Sequence, residues 1–261
     1  MAYSTASDAI LRVEGLSKTF GGLVALDDVS FEVAPQRITA LIGPNGAGKT
    51  TLFHIVAGAL SPTRGTVWLA GQLLNGTPTY VRVRLGIGRT FQNALLFGQM
   101  TVIENVMVGR HPRSHVGMVA SAFRLPTMRR EEETIYLDAL KYLNLVGLGM
   151  LAGELAGNLT FGQQRLVAIA RALATEPRLL LMDEPAAGLN TLEKMALADL
   201  ILRIQEMGIS ILLIEHDMTL VMQLAEYVVV LDHGRKIAEG TPAAVRKDRK
   251  VLEAYLGIEV A

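Results

Sequence analysis

The sequence predicts an α/β fold, a parallel sheet covered by helices on both faces, and three observations lead there. A β-prone apolar stretch over residues 37–42 runs into a glycine-rich loop at 43–50 and out into a helix that begins Thr51-Leu52-Phe53. After residue 160, short unbroken apolar strands alternate with helical patterns, as they do in a sheet buried on both sides. The 261 residues suffice for one large α/β domain with a subdomain and a substantial core.

Taken in order, residues 10–42 read as short strands with turns, at 11–13, at 29–33 and at the strand feeding the glycine-rich loop. Residues 66–71 add a strand that ends in Gly71. From about 93 to 158 the character changes. Thr101 and Glu104 form a capping-box signature that opens a helix, and residues 129–146 carry apolar side chains at helical spacing. Between them, residues 111–127 contain Pro, Ser and Arg without a period and read as a surface loop. Beyond 160 the pattern predicts helices at 163–175, 191–207 and 220–225, with strands at 178–182, 211–214 and 228–231. The expected plan is an α/β core, a small N-terminal β layer and a helical insertion between them. Internal repeats and low-complexity segments are not evident.

Composition narrows the partners. Lys+Arg and Asp+Glu both number 25, so the formal net charge is zero and no basic excess points to nucleic acid. The absence of cysteine excludes disulfides and thiolate metal sites and fits a reducing compartment. The first eight residues lack the basic start and apolar core of a signal peptide. A mean hydropathy of +0.33 is high for a soluble protein. The apolar runs are nonetheless far shorter than the roughly 18 residues a membrane span needs. The surplus belongs to a well-buried sheet, or to a sheet plus an apolar docking face.

The loop Gly43-Pro44-Asn45-Gly46-Ala47-Gly48-Lys49-Thr50 fits G-x-x-x-x-G-K-[ST] without a mismatch, and Thr51 continues it into the helix. Its glycines let the backbone turn its N–H groups inward on an anion, and the helix that follows adds the positive end of its dipole. Lys49 would reach the β- and γ-phosphates of a nucleotide, and the Thr50 hydroxyl would ligate Mg²⁺. Residues 179–185, Leu-Leu-Leu-Met-Asp-Glu-Pro, read as a buried strand that ends in two carboxylates. Ligands of open α/β sheets sit at the carboxyl ends of strands. Asp183 is therefore placed to hold Mg²⁺, and Glu184 to polarise a water for in-line attack on the γ-phosphate. Thr160 and Gln163 stand at capping-box spacing before another helix. That end is either an ordinary helix start or a second anion-facing one, which would suit a nucleotide shared between two chains.

Together these motifs resemble the ATP-binding subunit of ABC transporters, from about residue 10 to 257. The 43–50 loop matches the Walker A motif, Arg89-Thr90-Phe91-Gln92 resembles the Q-loop, and residues 159–164 (Leu-Thr-Phe-Gly-Gln-Gln) resemble the signature motif. Residues 179–185 are similar to Walker B, and Ile214-Glu215-His216-Asp217 to the H-loop. The resemblance implies a P-loop NTPase (RecA-like) core with a parallel sheet, an N-terminal antiparallel β subdomain and an inserted α-helical subdomain. The implied division is 10–92 and 162–232 for the core with its β subdomain, 93–161 for the helical part and 233–257 for a C-terminal segment. It further implies that Gln92 contacts Mg²⁺ and relays nucleotide state. His216 would bond the γ-phosphate, Phe20 would stack on adenine, and Thr160, Gly162 and Gln163 would bind the ATP held by an opposing subunit.

Three positions depart from the commonest pattern. Thr160 and Phe161 replace Ser and Gly in the signature, and Asn190 replaces the D-loop Asp. Thr160 keeps a hydroxyl, while the Phe161 ring alters the surroundings of that helix end. With FGGL at 20–23, DEPAAGLN at 183–190 and the ending Ala254-Tyr255-Leu256-Gly257, these features are similar to one subgroup. It comprises the ATPases of branched-chain amino-acid importers, in particular the LivG-like member of their ATPase pair. The resemblance implies ATP and Mg²⁺ as cofactors and a head-to-tail dimer with a second ATPase subunit, identical or homologous. Two integral-membrane permease subunits, an extracytoplasmic solute-binding protein and a peripheral place on the cytoplasmic face of the inner membrane follow, with the chain soluble when isolated. Alternatives within transporters are urea or amide import and lipid or lipopolysaccharide export. A soluble ABC ATPase outside transport is a further one.

Overall fold

A computed structural model of the chain describes residues 9–90, 95–113 and 126–256. It divides into two compact units, Met1–Ile87 with Arg178–Ala261, and Gly88–Pro177.

The first unit holds two sheets. One is antiparallel, with β1 (Leu11–Phe20), β2 (Leu23–Val33), β4 (Arg64–Leu69) and β5 (Gln72–Leu73) in the order β2-β1-β4-β5. Its strands alternate: Val29, Phe31 and Val33 are buried while Ser30 and Glu32 are exposed, so one face meets the core and the other does not. The other sheet contains β3 (Ile38–Ile42), β7 (Leu179–Asp183), β8 (Ser210–Ile214), β9 (Tyr227–Asp232) and β10 (Arg235–Gly240), with β6 (Ile87–Arg89) starting at its edge. The order is β10-β9-β3-β8-β7-β6. β3 runs parallel to β8 and β9, and β7 parallel to β8. Every residue of β3, β7 and β8 is buried, the consequence of covering both faces of a parallel sheet.

Alternate residues feed two cores. Leu41, Leu181, Ile214 and Leu231 pack with Leu52, Phe53, Ile55 and Val56 of the helix Lys49–Ala57 on one face. Ala40, Ile42, Val228 and Val230 pack with Val221, Val245 and Val251 on the other.

The sheet is not wholly parallel. Residues 235–240, expected only as part of a C-terminal segment, form β10 antiparallel to β9. The helices Pro242–Val245 and Arg249–Leu256 follow and send Val245 and Val251 into the core. β10 hides in the sequence because it is an edge strand rich in Arg, Lys and Glu. The helix Thr79–Leu85 was likewise not foreseen, since its alternating Val and Arg read as neither period.

The second unit is helical, with helices at Val102–Met107, Pro126–Leu145 and Phe161–Leu173. The Thr101 capping box is formed, with its hydroxyl accepting from Glu104 N and the Glu104 carboxylate accepting from Thr101 N. Buried Asn105 braces the preceding turn, donating to Phe97 O and Thr101 O and accepting from Phe97 N. Arg110 bridges Asp138 and Glu176 at 2.6 and 2.7 Å. Of the loop expected at 111–127, residues 111–113 end a 3-10 turn, 126 opens a helix, and 114–125 lie outside the described residues.

Candidate nucleotide site

The loop at the carboxyl end of β3 is fixed by glycines that nothing else replaces. Gly43 has φ +149, and a Cβ there would lie 2.0 Å from Leu231 O. Gly48 has φ +98, and a Cβ there would lie 2.6 Å from Ala25 O. Both positions combine a left-handed backbone with a close approach, so only hydrogen fits. Gly48 is also the N-cap of the helix Lys49–Ala57 and offers no side-chain cap, which leaves the first-turn N–H groups facing the loop. Lys49 is buried, and its Nζ donates to Gly43 O at 2.7 Å and Pro44 O at 2.8 Å. Burial lowers its pKa, while the nearby charges of Glu184 and Asp183 act to raise it. Asn45, Gly46 and Thr50 are exposed, Pro44 and Thr51 half-buried and Ala47 buried.

Asp183 ends β7 as a buried carboxylate. Glu184 follows at φ +45, a left-handed conformation for a residue that also precedes proline. Such a backbone costs about 1–3 kcal/mol and persists only where its surroundings hold it. Its N–H donates to Ile214 O at 3.0 Å. His216, one residue beyond buried Glu215, is largely exposed, and its Nδ1 lies 3.9 Å from a Glu184 carboxylate oxygen. Glu215 accepts from Ala186 N at 2.9 Å and His216 N at 3.2 Å. Burial pushes the pKa of Glu215 up, against backbone N–H bonds that pull it down. Asp217 caps the helix Met218–Leu224 by accepting from Thr219 N and Leu220 N, and pairs with Lys194 at 2.7 Å. The structure thus brings Lys49, Asp183, Glu184 and His216 to the carboxyl ends of β3, β7 and β8. All four are residues that the sequence singles out, whereas it does not single out Glu215 or Asp217. For Glu215 the available signal was a carboxylate directly after an apolar strand.

The other expected residues fall as follows. Phe20 ends β1 with its ring exposed and Lys18 Nζ 4.9 Å above it, so it is not a core residue. Gln92 lies outside the described residues. Thr160 and Gln163 form a complete capping box on the helix Phe161–Leu173, with Gly162 in its first turn. Phe161 is half-exposed under the Arg165 guanidinium. Asn190 has a structural use: it caps the helix Thr191–Glu206, accepting from Glu193 N while Glu193 accepts from Asn190 N.

A glycine-built loop, an uncapped helix start and a buried lysine suit a polyphosphate. Asp183 and Thr50 supply hard oxygen donors of the kind that hold Mg²⁺ together with phosphate and water, for which a dedicated cage is not needed. Among the described residues no cluster of three His, Asp or Glu forms such a cage.

Residues 26–187 match the family model described as ABC transporter. Residues 235–261 match the one described as branched-chain amino acid ATP-binding cassette transporter. The chain is 43% identical to the high-affinity branched-chain amino acid transport ATP-binding protein BraF of Pseudomonas aeruginosa, over 96% of this chain and 99% of that one. It is equally 43% identical to LivG of Escherichia coli, a protein of the same description, over the same shares. A crystal structure of a nucleotide-free ATP-binding cassette from an ABC transporter superposes with a TM-score of 0.84 at 35% identity, covering 96% of this chain and all of that one. The chain belongs to the ABC transporter family as an ATP-binding cassette, an ATPase of the group that contains the branched-chain amino acid transport ATP-binding proteins.

Proposed function

We propose that this chain hydrolyses ATP to power import of branched-chain amino acids through a membrane permease. The observation that carries the chemistry is the gathering of Lys49, Asp183, Glu184 and His216 at neighbouring strand ends beside the glycine-built loop. The support for the solute is the match of residues 235–261 and the 43% identity to BraF and LivG.

In this reading residues 43–51 cradle the phosphates and Lys49 offsets the charge of the β- and γ-groups. Phe20 stacks on the adenine. Asp183, Thr50 and Gln92 hold Mg²⁺, which supplies charge neutralisation at the phosphates. Glu184 accepts a proton from the attacking water, and His216 holds the γ-phosphate and orients that water against Glu184. Thr160, Gly162 and Gln163 close on the ATP of an opposing ATPase subunit, a second copy or a homologous chain, in a head-to-tail dimer. Only the closed dimer offers both sets of contacts, so ATP favours closure. Moving from 1:99 open to 99:1 closed takes roughly 5.5 kcal/mol of differential binding. Several charge-assisted hydrogen bonds to each of two γ-phosphates are of that order.

The helical part, residues 93–161, passes closure to two integral-membrane permease subunits, which an extracytoplasmic solute-binding protein supplies. The chain then lies on the cytoplasmic face of the inner membrane. Among the described residues no helix is long and apolar enough to cross it.

Uptake of labelled leucine, isoleucine and valine tests this reading in cells that lack other such importers and carry Lys49→Ala. The expected result is loss of branched-chain uptake with urea and short-amide uptake unchanged. Undiminished branched-chain uptake would remove the solute assignment.

A further inference from the structure

Glu184 and His216 leave the sheet on separate strands, and the last ladder pair holding those strands in register is Asp183 with Ile214. One backbone bond continues beyond it, from Glu184 N to Ile214 O. Pro185 has no N–H to give. The next donor along that loop is Ala186 N, and a side chain from the facing loop takes it: Glu215 Oε1, at 2.9 Å. The other oxygen of the same carboxylate accepts from His216 N at 3.2 Å. Glu215 is wholly buried, directly after the four apolar residues Ile211 to Ile214. Filling that space alone would be served by another apolar side chain, because a buried carboxylate is costly unless its oxygens are satisfied.

We propose that Glu215 is a positioning residue for ATP hydrolysis, whose single carboxylate spans the Glu184 and His216 loops and sets the two groups against each other. This rests on the reading above, in which those two residues act on water and γ-phosphate. The imidazole lies between carboxylates, its Nδ1 3.8 Å from Glu215 and 3.9 Å from Glu184. A second tie fixes the far side of His216, where Asp217 pairs with Lys194. His216 is therefore flanked by two residues anchored to the 186–194 segment that follows Glu184. The Glu215 carboxylate bonds the backbone of Ala186, His216 and Asp217 rather than the phosphate loop, so it bears on the geometry of the reaction and not on the grip on nucleotide.

The test is a double-mutant cycle on the full chain with its partner subunits, read as kcat and KM for ATP. Its variants are Glu215→Gln, His216→Ala and the pair, with single-turnover rates where hydrolysis is slow. Glu215→Gln keeps the size of the side chain but sets an amide N–H against one of the backbone N–H groups the carboxylate accepts from. It is expected to lower kcat about tenfold or more with KM within about twofold. In the His216→Ala background it is expected to cost less than about twofold, because it acts through His216. An unchanged kcat, a loss carried by KM, or the same loss in both backgrounds would overturn the proposal. If Glu215→Gln does not fold, Glu215→Asp goes through the same cycle, being too short to span both donors. Hydrolysis that Glu184→Gln fails to slow would instead remove the underlying reading, and the same assay sees that result separately.

Discussion

Arg82 carries more of the support of the helix that follows the glycine-rich loop than its place in an unremarked stretch of sequence suggests. Its guanidinium is buried and donates to the carbonyls of Ile55, Val56, Leu74 and Thr77, the shortest at 2.6 Å. Two of these acceptors belong to the last turn of the helix Lys49–Ala57, where a cation meets the negative end of the dipole. Gly58 follows as the C-cap of that helix in a left-handed conformation, φ +84, that a side chain would strain. Burial lowers the pKa of this arginine, yet a guanidinium stays charged in proteins. Arg82→Met is expected to leave several buried carbonyls unsatisfied and cost about 3 kcal/mol, as measured by urea unfolding. A loss below about 1 kcal/mol would mean that water reaches those carbonyls. Nothing in the local pattern Val-Arg-Val-Arg announces this role, because the four acceptors come together only in the folded chain. The glycine-rich loop at 43–50 was legible because its residue spacing is local, although the neighbours that require Gly43 and Gly48, Leu231 and Ala25, are distant in sequence.

Among the elements, β3, β7 and β8 were legible because both faces are buried, which forces an unbroken apolar run. The capping boxes at Thr101 and Thr160 were legible because side chain and backbone meet within four residues. The third, at Asn190, was obscured by its position in a loop read for nucleotide chemistry. β10 was missed because an edge strand with polar residues on its open face carries no apolar signal.

The helix Met218–Leu224 supplies a pH prediction. Lys194 and the N–H groups of Leu220 and Thr219 hold the Asp217 carboxyl below its ordinary value of 3.8. That stabilisation is complete above the ordinary value and is lost as the pH falls through the lower folded one. Asp217 in turn holds the Lys194 ammonium above its ordinary 10.5, a contribution complete below 10.5 and lost as the pH rises through the folded value. The stability difference between wild type and Asp217→Asn, from denaturant unfolding, should be flat from about pH 5 to pH 9 and shrink in stronger acid. A difference that grows on acidification would contradict the pairing.

At the scale of the whole chain, family membership was legible because five short motifs stand in one order along it, each tied to a strand end or helix start. The sequence changes character near residues 93 and 158, whereas the chain divides into two compact units with other limits. Their limits, Gly88 and Pro177, fall where the chain continues in strand or turn without a compositional break. The central claim is that one chain holds ATP through Lys49 and cleaves it through Glu184. Calorimetric binding of Mg²⁺-ATP, paired with hydrolysis rates for wild type, Lys49→Ala and Glu184→Gln, tests it most directly. Glu184→Gln should bind within about twofold of wild type and hydrolyse about a hundredfold or more slower, while Lys49→Ala loses binding. Hydrolysis by Glu184→Gln at the wild-type rate, or undiminished binding by Lys49→Ala, would contradict it.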